Sequence, residues 1–440
     1  MLHKMLTVLS GCLALFCQTA YSAGDDTGLA TVIRDNKEKV SQLFSSLNLA
    51  SPGMSKVAKE LKNKDEVGAC KALIDYFRCN SAGKKLRERK YIPHLGWANG
   101  KKNLNPDDMI KDKYVIKGIP AVIPRDADGY LKWNYVPPNG YKQYPTMLAR
   151  FRHTGVAWNK YRKTGKVKYA RFVNDNFLDW YKANPYMKKR VSDFRSSQCF
   201  DRPESHPNPN YTWFTLHSSI RLKSFTDLFY AIVKDKNIPD ATKLMLLCSI
   251  EEHCHYMYHR GGMRLGNKGI FTMQNLFYAA IYFPEFKNSS KWKEAAISRV
   301  TNNIDKSVWP DGAEDELALM YSYGVLVAEF DFLNMVKESG EKLPSEFVDS
   351  MKRQLFFLTV CCRPDGKLFP HGDSDTEAKK YAKLAPKAVE IGDPEVLYIA
   401  TNGRKGKKPA EPPSRFFNYS GFGVSRDKWK DAKLWSFFDA

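Results

Sequence analysis

Residues 266–321 read GNKGIFTMQNLFYAAIYFPEFKNSSKWKEAAISRVTNNIDKSVWPDGAEDELALMY, and this stretch decides the fold. Apolar side chains recur there at every fourth position, the spacing of one buried helix face. They are Trp292, Ala296, Val300, Ile304 and Val308. Two turn sequences, FPEF and WPDG, frame this helix because proline and glycine interrupt helices. The stretch therefore predicts a helical hairpin that separates the amide of Asn267 from the phenol of Tyr321.

The same helical pattern extends through most of the chain. Residues 51–77 predict an antiparallel helix pair, and from residue 144 onward each predicted helix ends in a short polar turn with Gly, Pro or Asn. Helices joined by short turns pack as antiparallel hairpins. Hairpins that repeat every 40 to 60 residues, roughly, indicate a toroid or solenoid. Residues 83–140 carry charge runs and repeated prolines, which predict an irregular, partly extended layer.

The chain changes character after Pro412 and Pro413. Residues 415–440 combine glycine breaks with short, alternating, aromatic-rich runs that are typical of strands. A strand pair does not close a sheet by itself. Either these strands pair with the helical part, or they are the first strands of a β domain that has been lost.

The first residues predict a secretory signal peptide at 1–22. MLHK precedes an apolar run to Phe16, and Ala20-Tyr21-Ser22 forms a small-residue cleavage site. The alternative is a lipoprotein site at Leu9-Ser10-Gly11-Cys12, which is less favoured because the apolar run continues past Cys12. No other segment has the apolar length of a membrane span. We therefore expect an exported protein, most naturally in a bacterial periplasm.

The formal net charge of +21 predicts attraction to polyanions. Export, together with the absence of a recognisable nucleic-acid-binding motif, favours acidic polysaccharide over nucleic acid as the partner. A basic surface without a specific ligand is the alternative. The sequence makes no prediction of oligomeric state.

Cysteines and histidines predict neither a disulfide framework nor a metal centre. Seven of the nine cysteines follow residue 22, an odd number without C-x-x-C spacing. Cys70 and Cys79 are one possible pair, but buried thiols are the favoured interpretation. His255 and His259 share a helix face near Glu251 and His253, yet no second cluster completes a tetrahedral zinc site. No cofactor is predicted.

Six sequence motifs, in order, resemble the heparinase II/III and alginate lyase superfamily. SPGMSKVAKELKNKDEVGACKALIDYF resembles its N-terminal helix pair, YRKTGKVKYARFVNDNFLDWYKANP its early toroid, and TWFTLHSSIRL its tryptophan-leucine-arginine helix. GNKGIF, FPEF with Trp292, and PDG-x-x-x-E-x-x-x-x-Y resemble the central motif. FPHGDSD resembles a late turn, and SGFGVSRDKW the entry into a β-sandwich. The resemblance implies a mainly α fold: an incomplete (α/α) toroid at residues 23–410, and the start of a truncated β-sandwich at 411–440.

The resemblance also implies cleavage of a uronic-acid polymer, such as heparan sulfate or alginate, by β-elimination. Such a site needs a donor that neutralises the uronate carboxylate, together with a base and an acid. By motif position, Asn267 is the candidate neutraliser and Tyr321 the candidate acid or base. The candidate substrate-binding residues are Lys268, a cation beside Asn267; Gln274, two helical turns after Asn267; and Trp213, Arg221 and Trp309, which suit sugar stacking and anion binding. For the last four, packing is the favoured interpretation of the single residue. Each also has a structural interpretation: Asn267 as a helix N-cap, and Tyr321 as a core phenol.

Two departures from the family pattern bear on activity. Many relatives place histidine where this chain has Lys268 and Ser322, and the family's β-sandwich supplies a further histidine beyond the point corresponding to Ala440. His371 belongs to a different motif and is interpreted as a turn residue. Three hypotheses follow: an exported polysaccharide lyase, a non-catalytic polyanion-binding remnant, or a gene fragment that lacks the sandwich histidine.

Overall fold

The computed structural model describes residues 26–90, 104–186, 212–261, 265–374 and 384–440. These form two compact units. The first contains the described residues up to Gly261 together with Asn275–Lys293, and the second contains Gly262–Gln274 and Glu294–Ala440. The predicted signal peptide lies outside the described residues. Among the helices that are described, none is long and apolar enough to cross a bilayer.

The first unit is built mainly from helices, as the apolar periodicity predicts. Its helix pair within residues 51–77 is confirmed as α3 and α4. A short antiparallel hairpin, β1 with β2, pairs Lys113 with Val122 inside the irregular layer. Its elements are α1 (Asp26–Asp35), α2 (Lys37–Ser46), α3 (Ser55–Lys62), α4 (Glu66–Cys79), α5 (Lys84–Arg87), α6 (Pro106–Met109), β1 (Lys113–Ile116), β2 (Ile119–Val122), α7 (Tyr144–Leu148), α8 (Arg152–Thr164), α9 (Val167–Ala183), α10 (Thr215–Ile232) and α11 (Asp240–Arg260).

Local signals in the sequence set the ends of these helices. The Asp65 carboxylate caps α4 by accepting a hydrogen bond from the Gly68 N–H. Gly165 ends α8 in the left-handed conformation, with φ of +67°, which glycine adopts without the steric penalty of a Cβ. The apolar faces meet in an aromatic core, where Phe225 packs edge-to-face on Phe151 and Trp180.

The second unit combines helices with a small sheet. The residues of two long helices, α12 (Asn267–Tyr282) and α13 (Ser289–Ser307), are divided between the units, and residues 267–274 and 294–307 belong to the second. The predicted stripe on α13 is confirmed, because Ala296, Val300 and Ile304 are buried. The remaining elements are α14 (Leu319–Glu338), α15 (Ser345–Val360), α16 (Leu384–Ile391), α17 (Pro394–Ala400), β3 (Arg415–Phe417), β4 (Phe422–Arg426) and β5 (Trp435–Asp439).

The three C-terminal strands form an antiparallel sheet in the order β3-β4-β5. Helical elements of the same unit hold it. The Arg426 guanidinium donates to the carbonyls of Val360 and Cys362 at 3.2 and 2.6 Å. The predicted domain boundary at residue 411 therefore does not separate two compact units, because the strands and the helices α14–α17 belong to one of them. The prediction of a mainly α chain is confirmed.

The described cysteines are free thiols. Cys70 is buried and Cys79 is exposed. Cys199 lies outside the described residues. The imidazoles of His255 and His259 share a face of α11, with ring centroids 4.3 Å apart. Within the described ranges, no three Cys, His, Asp or Glu side chains are gathered as metal ligands.

Candidate active site

Asn267 meets a carboxylate in the second unit. It is the first residue of α12, and its side-chain amide donates from Nδ2 to Oε1 of Glu316 at 2.6 Å. The NH2 group of this amide is therefore used as a donor to a carboxylate. An amide donor held against a carboxylate is the arrangement that neutralisation of a uronate requires.

A buried asparagine fixes the backbone immediately before Asn267. The Asn303 side chain accepts from the Gly266 N–H at 2.8 Å and donates to the Gly266 carbonyl at 2.9 Å. Asn303 is only 1% exposed, so this pair of hydrogen bonds is shielded from water. Gly266 has φ of +69°, a conformation that favours glycine. The start of α12 is thus held at a defined position relative to α13.

The partner of Asn267 belongs to an acidic turn, Glu314-Asp315-Glu316. Burial, followed by hydrogen bonding and charge from Asp315, raises the pKa of Glu314 to about 8. Desolvation and the charges of Asp315 and Asp373 also raise the pKa of Glu316, while the charge of Lys268 opposes this shift. The site therefore places one cation and one amide donor beside a cluster of carboxylates.

The WPDG turn connects this cluster to the sheet. The Trp309 N–H donates to the Ala313 carbonyl, and the Asp311 side chain accepts from the N–H groups of Tyr419 and Ser420 at 3.0 and 2.8 Å. Trp309 itself is half-buried. Asp311 of the motif therefore connects the turn to the segment before β4.

Tyr321 lies in the first turn of α14, five residues after Glu316 and half-buried. The approach to this helix is fixed by His371, whose Nδ1 is 3.1 Å from the Leu317 carbonyl oxygen and whose Nε2 is 3.0 Å from Oδ2 of Asp439. His371 thus connects the loop before α14 with the end of β5. Its predicted place in a turn agrees with the bend at residues 372–373.

The other predicted residues divide between the two units. Lys268 and Gln274 lie on α12 in the second unit and are half-buried. Trp213 and Arg221 lie in the first unit, 2% and 0% exposed respectively.

The expectation that Arg221 and Trp213 contact sugar is corrected by their surroundings. The Arg221 guanidinium stacks 4.3 Å from the Trp180 ring centroid and 5.3 Å from that of Trp213. It also donates to Nε2 of His253 at 2.9 Å and to the Ala149 carbonyl at 2.8 Å. Burial lowers the pKa of Arg221 to about 9 and, with the adjacent guanidinium charge, lowers the pKa of His253, so the imidazole stays neutral and accepts. Both side chains are part of the core.

Two residues of the site were missed from the sequence. Glu316 stood in the PDG-x-x-x-E motif, but nothing local indicates that its carboxylate meets an amide 49 positions earlier. Asn303 lies beside the stripe residue Ile304 on α13, and a polar residue next to a buried stripe is the signal that identifies it.

Comparison with known proteins gives a consistent result. The family model described as Heparinase II/III N-terminus matches residues 43–389. The heparin-sulfate lyase of Bacteroides stercoris is 25% identical over 403 residues, covering 89% of this chain and 59% of that protein. The heparin-sulfate lyase of Pedobacter heparinus is 26% identical over 405 residues, covering 88% of this chain and 57% of that protein. The chain thus spans less than three-fifths of the length of these relatives.

Solved structures show the same fold. A heparinase III structure with methylated lysines is similar with a TM-score of 0.68 and 25% identity, covering 91% of this chain and 62% of that one. Another heparinase III structure has a TM-score of 0.70 at 19% identity, covering 88% of this chain and 60% of that one. The predicted fold class is confirmed by these likenesses.

Proposed function

The chain belongs to the heparinase II/III family through its N-terminal domain, and from that membership we propose that it acts as a glycosaminoglycan lyase on heparan-sulfate-like chains. The curated relatives named heparin-sulfate lyase support this substrate class. The observation that carries the proposal is the 2.6 Å hydrogen bond from the Asn267 amide to the Glu316 carboxylate. It indicates that this amide is placed to bind a carboxylate oxygen.

In the proposed reaction, a uronate carboxylate accepts a hydrogen bond from the second N–H of the Asn267 amide. The positive charge of Lys268 adds to the neutralisation. Neutralising that carboxylate makes the proton on C5 of the sugar more acidic. The Tyr321 phenolate removes this proton, the C4–oxygen bond breaks, and its electron pair leaves with the glycosidic oxygen. The phenol returns the proton to that oxygen, and a C4–C5 double bond remains. Gln274 and Trp309 are proposed as further substrate contacts in the same unit.

The test is turnover of heparan sulfate, followed by the ultraviolet absorbance of the conjugated double bond. We expect Tyr321→Phe to lower kcat by about 10²-fold or more, because removal of a general acid or base has this effect. A Tyr321→Phe protein with undiminished turnover would contradict the assignment. Alginate and hyaluronan, assayed in parallel, separate a sulfated glycosaminoglycan substrate from other uronans.

A second candidate is a non-catalytic polyanion-binding protein, which is favoured only by the +21 charge. It predicts salt-sensitive retention of heparan sulfate without any unsaturated product. The same assay therefore decides between the two.

We also propose export to a periplasm through the signal sequence at residues 1–22. The support is the charged start, the apolar run and the Ala20-Tyr21-Ser22 site. N-terminal sequencing of the secreted protein is expected to give Ala23 as the first residue. A mature chain that begins at a lipidated Cys12 would contradict this.

A further inference from the structure

The second unit carries a basic surface that none of the proposed catalytic residues belongs to. It consists of the loop 401–408 after α17 and the turn 427–433 between β4 and β5, which we call the basic loop pair. Seven of its basic side chains are exposed to solvent: Arg404, Lys405, Lys407, Lys408, Lys428, Lys430 and Lys433.

Reciprocal hydrogen bonds hold the two loops together. The Asn402 Nδ2 donates to Oδ1 of Asp431 at 2.9 Å, and the Asp431 N–H donates to Oδ1 of Asn402 at 2.8 Å. The stem of Lys430 lies over Gly403, so closely that a Cβ on that glycine would be 2.8 Å from its Cγ. The cations of both loops are therefore gathered on one surface.

The loop 401–408 is itself fixed to α17. The Thr401 hydroxyl donates to the Leu397 carbonyl of α17 at 2.7 Å and accepts from the Lys405 N–H at 3.0 Å. The Lys407 N–H donates to the Pro394 carbonyl at 2.9 Å, with Gly406 packed against the same carbonyl. The backbone that presents these lysines is ordered before any ligand arrives, which lowers the entropic cost of binding.

The protein offsets the positive charge of the basic loop pair only in part. In the described part of the chain, no carboxylate pairs with any of the seven basic side chains. The pair contains two acidic residues. Asp431 exchanges hydrogen bonds with Asn402, and the Asp427 carboxylate accepts hydrogen bonds from the N–H groups of Lys433 and Leu434. The seven cations outnumber these two carboxylates, so the surface carries a net positive charge, which attracts a polyanion and releases its counterions.

We propose that the basic loop pair is a second binding site for a sulfated polysaccharide chain, one that holds the polymer away from the residues of elimination. The choice of sulfated glycan rests on the proposed function. It agrees with the chemistry of the surface, because lysines are point charges suited to sulfate groups. Single-stranded nucleic acid also needs exposed aromatic rings for base stacking, whereas Trp429, the aromatic residue of the pair, is 4% exposed.

The test compares two triple variants in a Tyr321→Phe background, which is expected to suppress turnover during the measurement. One is Lys405→Gln/Lys407→Gln/Lys408→Gln. The matched control is Lys56→Gln/Lys59→Gln/Lys62→Gln, which removes the same charge from three exposed lysines of α3. Binding of a fluorescent heparin oligosaccharide of defined length is measured by anisotropy over a series of salt concentrations.

The loop variant is expected to bind about tenfold more weakly than the control, with a slope of log Kd against log salt that is smaller by about two. Equal losses in the two variants would show a diffuse effect of net charge and overturn the proposal. Equal, loop-dependent binding of a DNA duplex would overturn the assignment to sulfated glycan. Because binding is measured without turnover, a chain that binds through the loops and cleaves nothing refutes the lyase activity alone.

Discussion

At the scale of single residues, the contact between Glu316 and Asn267 determines the orientation of the Asn267 side-chain amide. A carboxylate only accepts hydrogen bonds, so it holds the Nδ2 end of Asn267 and excludes the flipped orientation. The remaining N–H is then available to a substrate. Glu316 is thus proposed as a positioning residue that acts through Asn267.

Glu316→Gln is therefore expected to lower kcat/KM on heparan sulfate by about tenfold, the usual effect of losing a hydrogen bond to a charged group. A glutamine offers either an oxygen or an NH2 group, so Asn267 is free to turn its own oxygen toward the substrate. The measurement is initial rate against substrate concentration.

The direction of the change in kcat/KM separates a positioning role of Glu316 from a general effect of its charge. Removing a negative charge near a polyanionic substrate on its own improves binding. Asp305→Asn, the same charge change at an exposed position of α13, serves as the control for this general effect. A Glu316→Gln protein as active as the control, or more active, would contradict the positioning role.

The sequence predicted individual residues of this site unequally. Asn267 and Tyr321 are predicted from motif position, and their roles stay predictions. Arg221 was expected to bind an anion because arginine is suited to carboxylate and sulfate, but the ring of Trp180, 41 positions earlier, covers it. Burial of this kind depends on tertiary contacts, which a linear motif does not contain.

At the scale of elements, helices were predicted well because their apolar spacing is local. The stripe from Ala296 to Ile304 is buried as expected. The sheet was predicted less fully: alternating residues indicate strands, but the order β3-β4-β5 depends on pairing between segments. The WPDG turn before α14 is a connection whose conformation depends on one residue, Gly312.

Any side chain at Gly312 of that turn is strained. Its φ is +91°, and a Cβ there would lie 2.3 Å from the Arg353 carbonyl oxygen of α15. Gly312→Ala therefore adds both backbone strain and a clash with main chain, and we expect a loss of about 2 to 4 kcal/mol in stability. The change is measured as a shift in the midpoint of urea or thermal unfolding.

Gly366→Ala is the matched control. Gly366 also has a positive φ, +76°, but a Cβ there meets no atom within 4 Å. Only the conformational penalty applies, so a loss of about 1 to 2 kcal/mol is expected. Equal losses in the two variants would show that the close approach to α15 does not contribute.

At the scale of the whole molecule, the net charge of +21 makes stability depend on pH through repulsion as well as through individual groups. One buried group stands apart from this background. Glu329 of α14 is fully buried, and Nε2 of Gln354 lies 2.9 and 2.7 Å from its two carboxylate oxygens. Burial raises the pKa of Glu329 from 4.5 to about 7, with the hydrogen bond from Gln354 opposing the shift.

Because the folded protein holds this proton more tightly than the unfolded chain, Glu329 adds stability below pH 4.5, and this contribution is lost as pH rises through about 7. The loss is on the order of 1 to 3 kcal/mol. Glu329→Gln keeps the shape of the pair and removes the titration, so the stability of the natural protein relative to this variant is expected to fall between pH 4.5 and 7. Thermal unfolding at several pH values measures it. Glu346→Gln, an exposed change of equal charge on α15, is expected to leave that profile unchanged. A flat difference for Glu329→Gln would mean that its carboxyl group is already ionised in the folded core.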